Sequence, residues 1–225
     1  MARPVRDDKS FTQSRAIVCE GGADAAFFRA LIRTRNLPEF SIKPTDVAGG
    51  RGGNSTFGSF LSDCRTWDGF DKLKHIIIAV DCDDSPREAF QNVIMQISSI
   101  TNDILNQYKY GIPKQPREQV AGTPASLTVL MIPWDDQAGA LETVLVQATR
   151  NSHEQTTACV DAFSECVGAA AWSASLKSKF DLFGHLAANR KPLSGFGNLW
   201  RDDPGLVPLT DPAFDQISDF LKSFA

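Results

Sequence analysis

The stretch His75-Ile76-Ile77-Ile78-Ala79-Val80 constrains the fold more than any other part of the chain. A run of β-branched and apolar residues without alternation has both faces covered, as a central strand of a parallel sheet does when helices lie on either side. The run stops at Asp81-Cys82-Asp83-Asp84. Ser85-Pro86-Arg87-Glu88 then sets a proline just inside a helix start, and Phe90, Val93, Ile94, Ile97, Ile100, Ile104 and Leu105 continue as one apolar face. Strand, acidic turn and helix form the repeating building unit.

The same unit recurs on both sides. Arg15 to Cys19 is a short apolar run that ends in Glu20-Gly21-Gly22, and Ala26, Phe27, Ala30, Leu31 and Thr34 follow at helical spacing. A weaker strand over 40–47 leads through Gly49-Gly50-Arg51-Gly52-Gly53-Asn54 to a stripe of Phe57, Phe60, Leu61 and Cys64. The proline-bearing stretch 111–124 reads as an exposed connection to a fourth strand over 127–132, which closes in Pro133-Trp134-Asp135-Asp136. Helical patterns over 140–148, 153–167, 172–188 and 211–224, with a Gly/Pro-rich loop over 193–208, fill the last third. This order predicts an α/β fold, a Rossmann-like, mostly parallel sheet flanked by helices with a helical C-terminal extension. Residues 1–14 read as a flexible leader, 15–150 as the α/β core and 151–225 as the extension packed on it. A length of 225 residues with 42% hydrophobic content suits one elaborated domain.

A formal net charge of −4 repels nucleic acid unless basic groups gather locally or cations offset the carboxylates. Cys19, Cys64, Cys82, Cys159 and Cys166 are odd in number and scattered, without a Cys-x-x-Cys pair or a matching histidine set, so they read as free thiols in a reducing compartment. The polar first residues lack the apolar core of a signal peptide and no run is long enough to span a bilayer, which predicts a cytoplasmic protein with no membrane partner.

Acids at strand ends are the recurring chemical feature. Glu20 follows the first strand, Asp81 and Asp83 the third, and Asp135 and Asp136 the fourth, with Asp24 and Glu142 early in the helices that come next. Carboxylates forced together repel, and a hard cation such as Mg²⁺ or Mn²⁺ stabilises the cluster. Past the end of a strand both Asp81 and Asp83 can reach one ion while Cys82 faces the packing side. The plainer account is that acids after strands serve helix N-termini, where Asp and Glu are favoured. His75, His153 and His185 share no ligand spacing, and His75 at a strand start reads as structural.

Val18-Cys19-Glu20-Gly21-Gly22-Ala23-Asp24 resembles the first Toprim signature, a strand ending in Glu-Gly with an Asp shortly after, and Val80-Asp81-Cys82-Asp83 resembles the second, a strand-terminal Asp-x-Asp. Met131 to Glu142, with its strand, acidic turn, Gly139 and Leu141-Glu142, is similar to a segment of Toprim-like proteins related to the OLD-type nucleases. The resemblance implies Glu20 as general acid/base or metal ligand, Asp81 and Asp83 as ligands of Mg²⁺ or Mn²⁺, and Asp24 and Glu142 as ligands of a second ion. It also implies a nuclease acting on DNA or RNA, with a separate ATPase partner protein or a place in a defence system. Tyr108 and Tyr110 lie at what reads as a helix end and supply no topoisomerase nucleophile.

Two features remain open between a functional and a plain role. Gly50, Arg51 and Gly52 would contact a phosphate through backbone N–H groups, or form a simple connection; the loop lacks the P-loop Gly-Lys-Ser/Thr ending. Lys191, preferred among Lys177, Lys179, Arg190 and Lys191, would stabilise charge on a transferring phosphate, or lie on a solvated helix face. The leading expectation is metal-dependent phosphodiester cleavage. The alternatives are a non-catalytic Toprim-like module that binds metal or nucleotide, and a Rossmann-like phosphate-binding protein whose acids cap helices.

Overall fold

The computed structural model describes residues 9–48, 53, 55–102, 108–188, 199–202 and 205–225. The strands are β1 (Arg15–Cys19), β2 (Ser41–Pro44), β3 (His75–Asp81) and β4 (Ser126–Ile132). The helices are α1 (Gly22–Thr34), α2 (Phe57–Asp63), α3 (Pro86–Thr101), α4 (Leu141–Ser152), α5 (Glu154–Cys166), α6 (Ala174–Ala188), α7 (Leu199–Asp202) and α8 (Asp215–Lys222). The four strands form one all-parallel sheet in the order β2-β1-β3-β4, flanked by helices, so the expected Rossmann-like α/β class holds. Val18 pairs with Lys43 on one side and Ile78 on the other. Residues 76–80 of β3 and 127–132 of β4 are buried without alternation, as covered parallel strands require.

The chain divides into two compact units that interleave in sequence: Met1–Ala25, Glu39–Val80 and Arg87–Met131 in the first, Ala26–Pro38, Asp81–Pro86 and Ile132–Ala225 in the second. In the first unit, α3 buries Ala89, Phe90, Val93 and Ile97, and α2 buries Phe57, Phe60 and Leu61. Gln96 of α3 accepts the Gly58 N–H at 3.0 Å and Tyr110 donates to the Leu61 carbonyl at 2.9 Å, so α2 is held from two sides. Residues 11–14 are not the flexible leader expected: Phe11 is buried and stacks on Trp67 at 5.8 Å, and its N–H donates to the Asp68 carbonyl at 2.7 Å. The N–H groups of Thr12 and Gln13 both donate to Ser41 Oγ at 3.0 Å. Residues 1–8 of that leader lie outside the described residues.

In the second unit Phe27 packs with Phe28, Trp200 and Phe214 at ring distances of 5.1–5.8 Å. Arg35 donates to the Leu209 carbonyl at 2.6 Å, the Asp211 carbonyl at 2.5 Å and the Asp215 carboxylate at 2.6 Å, tying the C-terminal segment to the end of α1. Helices α4, α5 and α6 pack together around Asp181, 3% exposed, whose Oδ2 accepts from Lys177 at 2.5 Å and Arg150 at 3.3 Å. Among the described residues, no helix is long and apolar enough to cross a membrane.

Two elements depart from the sequence expectation. The strand expected over 40–47 ends at Pro44, and Thr45–Ala48 winds into a 3₁₀ turn. Helix α7 falls inside the stretch read as a loop. His75 is structural as expected, its Nδ1 lying 2.8 Å from Ser126 Oγ and 2.7 Å from Gln119 Nε2, which ties the starts of β3 and β4.

Candidate metal and phosphate site

In the first unit, β1 delivers Glu20 directly after the buried Cys19. The Glu20 backbone is fixed by its carbonyl, which accepts from Thr45 Oγ1 at 2.9 Å and from the Gly53 N–H at 3.2 Å. Thr56 Oγ1 lies 2.7 Å from both Thr45 Oγ1 and the Gly53 carbonyl, so the chain leaving β2 and the residues ahead of α2 buttress the end of β1. Gly53 has φ +95, and a glycine serves there because that conformation strains any other residue. Thr45 and Thr56 escaped the sequence reading because isolated threonines carry no motif.

Gly21 and Gly22 open α1 without a left-handed φ, and among the described residues an added Cβ would meet Asp24 Oδ2 at 3.9 Å at the first and nothing within 4 Å at the second. Among the described residues, packing therefore does not demand either glycine, and Gly22 leaves the first position of α1 without a side chain. Asp24, third in α1, turns back and accepts the Gly21 N–H at 2.9 Å through Oδ2, which is the reciprocal half of a capping box.

In the second unit, Asp81 closes β3 and its Oδ1 accepts the Leu141 N–H at 3.0 Å, at the first residue of α4. The carboxylate thus meets the positive end of the helix. The next residue, Cys82, is buried as the alternation past the strand predicts; its N–H donates to the Ile132 carbonyl at 2.7 Å and its thiol to the Trp134 carbonyl at 3.3 Å. Burial, followed by the negative charges of Asp81, Asp135 and Asp83, pushes the Cys82 thiol up to about 12. Three of the expected acids therefore act on one buried thiol, and the segments leaving β3 and β4 are held to each other by backbone bonds.

Asp83 adopts φ +48, a left-handed conformation that Asp tolerates better than most residues, and its carbonyl accepts the Gly139 N–H at 2.6 Å. Gly139 itself has φ +136, and an added Cβ would sit 2.3 Å from Thr143 Oγ1. That hydroxyl accepts the Ala140 N–H at 3.1 Å and lies 3.0 Å from Ser178 Oγ, so Gly139 and Thr143 shape the start of α4. Glu142, second in α4, is half-buried, and Asp136 is exposed. A 210 Å³ concavity beside α4 is lined by Gln137, Thr143, Gln147 and Gln216, all uncharged.

Among the described residues, no three His, Cys, Asp or Glu side chains stand together as a metal-holding group. The donors that the sequence brings to strand ends are carboxylates, the hard oxygen ligands that Mg²⁺ and Mn²⁺ take. Gly50, Arg51, Gly52 and Lys191 lie outside the described residues, as do Arg190 and the Ile104 and Leu105 end of the helix expected after Pro86. Of the other lysines considered, Lys177 is committed to Asp181.

Fold and site together define a parallel α/β protein with carboxylates at the ends of neighbouring strands. The chain belongs to the family described as protein of unknown function (DUF3226), which it matches over residues 14–225. No curated protein and no solved structure matches it.

Proposed function

We propose that this protein is a Mg²⁺- or Mn²⁺-dependent enzyme that cleaves phosphodiester bonds in DNA or RNA, of the Toprim-like, OLD-type kind. The observation that carries the reading is the strand order β2-β1-β3-β4. In open parallel sheets, ligands bind beyond the carboxyl ends of the strands where the order reverses, here at β1 and β3. Those two strands run into Glu20 and Asp81.

In this reading Asp81 and Asp83 hold the ion, Glu20 moves a proton at the attacking water, and Asp24 and Glu142 serve a second ion. A bound ion would polarise a phosphoryl oxygen and favour ionisation of a water. Gly22, first in α1, carries no side chain and suits close approach of a phosphate to the helix start. Lys191 and the loop of Gly50, Arg51 and Gly52 are assigned to phosphate charge. A cytoplasmic location fits five free cysteines, and a separate ATPase partner belongs to the same proposal.

The test is cleavage of single- and double-stranded DNA and RNA with Mn²⁺ by wild type, Glu20→Gln and Asp81→Asn. The reading predicts metal-dependent cleavage lost in both variants; equal activity in all three proteins would reject it.

A second reading, a Rossmann-like phosphate-binding protein whose acids cap helices, is favoured by one pair of observations. Asp24 and Asp81 each accept a backbone N–H at a helix start, the service a capping carboxylate gives. That reading predicts no change in melting temperature with Mg²⁺ or Mn²⁺ and no cleavage of any of the four substrates.

A further inference from the structure

Helices α5 and α6 carry an apolar surface that the reaction does not use. Among the described residues the exposed large hydrophobic side chains are Met95, Phe163, Val167, Trp172, Leu176 and Phe183, and all but Met95 belong to this one hairpin. The α6 stripe of Leu176, Phe180 and Phe183, preceded by Trp172, runs at helical spacing. On α5 the small exposed Ala158, Cys159 and Ala162 extend the surface from Phe163. Phe180 joins the two helices, with ring centroids 5.2 Å from both Phe163 and Trp172. The rings are thus already ordered into a continuous face before any partner arrives.

We infer that this face is the self-association surface of the protein, where two copies pair α5 and α6 about a twofold axis into a four-helix contact. Exposures of 53% for Phe163 and Leu176, 60% for Phe183, 41% for Val167 and 36% for Trp172 correspond to an apolar patch on the order of 450 Å² at about 200 Å² for a large side chain. Two such patches, with the surrounding rim, reach the lower range of specific interfaces, about 1,200 Å² in total.

Charge selects a second copy over other occupants. Glu165 borders the strip on the outer side of α5 and Lys179 on the outer side of α6, and neither has an ion-pair partner among the described residues. The neighbouring Asp161 and Lys177 are already taken by Arg150 and Asp181. A twofold axis lying in the interface, parallel to the two helices, lays α5 of one copy over α6 of the other, so Glu165 meets Lys179 twice, as an isologous interface requires. A lipid surface would call for a basic rim; this rim is mixed, on a chain of net charge −4.

The experiment is sedimentation velocity on the full chain over a concentration series into the range of about 100 µM, with a dimerisation constant expected in the micromolar range. Phe183→Glu changes an exposed side chain, and should leave the melting temperature in place while giving a monomer throughout. Glu165→Lys and Lys179→Glu should each weaken the dimer at least tenfold, and the double exchange should restore it. A wild-type monomer across the whole series would overturn the inference, as would a dimer that Phe183→Glu leaves intact. Flotation of the wild-type monomer with phosphatidylcholine/phosphatidylserine vesicles would reassign the face to lipid. None of these readouts depends on catalysis, so they stand or fall apart from the nuclease reading.

Discussion

Replacing Gly139 by alanine should damage the α4 start and the Asp83 turn together, and the size of the effect follows from the geometry. At φ +136 an L side chain is strained, at a cost of about 1–3 kcal/mol. The new Cβ would also lie 2.3 Å from Thr143 Oγ1 and 3.1 Å from Thr143 Cβ, so the threonine must rotate away and release the Ala140 N–H. Losing that hydrogen bond costs about 1 kcal/mol. The expected total is about 3 kcal/mol, or roughly 6–12 °C in melting temperature for a chain of this size. Urea unfolding followed by circular dichroism measures it. Thr143→Ala alone should cost about 1 kcal/mol, and in that background Gly139→Ala should cost about 1 kcal/mol less than in wild type, because the Ala140 hydrogen bond is already lost and Oγ1 no longer stands in the way. A Gly139→Ala protein within about 0.5 kcal/mol of wild type, or an identical cost in both backgrounds, would refute this account of the turn.

Three further outcomes follow from buried groups. Asp181→Asn leaves Arg150 and Lys177 facing each other without their carboxylate; since both are about one-third exposed, the expected loss is about 2 kcal/mol rather than the 3–5 of a fully buried pair, read by urea unfolding, and no loss would contradict the packing described. His185 is fully buried, and burial, then the charges of Arg150 and His153, hold its pKa below the ordinary 6.5. The unfolded chain therefore takes up a proton below pH 6.5 that the folded chain refuses, so stability falls as pH drops below that value, by at most about 1.4 kcal/mol per pH unit, and His185→Gln should flatten the slope; equal acid slopes would contradict it. Thiol labelling of the native protein near pH 8, at concentrations below the dimerisation constant, should modify Cys159 and Cys166, which are exposed, and spare Cys19, Cys64 and Cys82 until the chain unfolds; rapid native labelling of Cys82, whose thiol is pushed up to about 12, would contradict its burial.

The sequence made β1, β3 and β4 legible because each is a short unbroken apolar run closed by Gly or Asp, and the amphipathic helices legible through their spacing. What escaped was settled by partners distant in sequence. Residues 11–14 look like a leader until Asp68 and Ser41 are brought to them. The strand expected to reach residue 47 stops because Thr45 turns its hydroxyl to the Glu20 carbonyl. Helix α7 is four residues long and too short for periodicity to reveal.

For the candidate site, the positions of the acids after strands could be read, since a buried strand must end at the surface. Their hydrogen-bond partners could not: Asp81 reaching Leu141, and Asp83 bonding to Gly139, span about 60 residues of sequence and depend on β3 and β4 lying side by side. Asp24 is the local exception, because an acid three residues after Gly21 is a recognisable capping spacing.

The central claim is that the acids at the end of β3 bind a divalent ion, and a thermal melt with and without Mn²⁺ tests it most directly. Asp81→Asn is the proper variant, because its side-chain oxygen still accepts the Leu141 N–H and preserves the start of α4. At an ion concentration about 100 times the dissociation constant, binding adds about 2.7 kcal/mol, a rise of roughly 5–10 °C. The account predicts that rise in wild type and its loss in a folded Asp81→Asn protein; no shift in wild type, or the same shift in both, would contradict it.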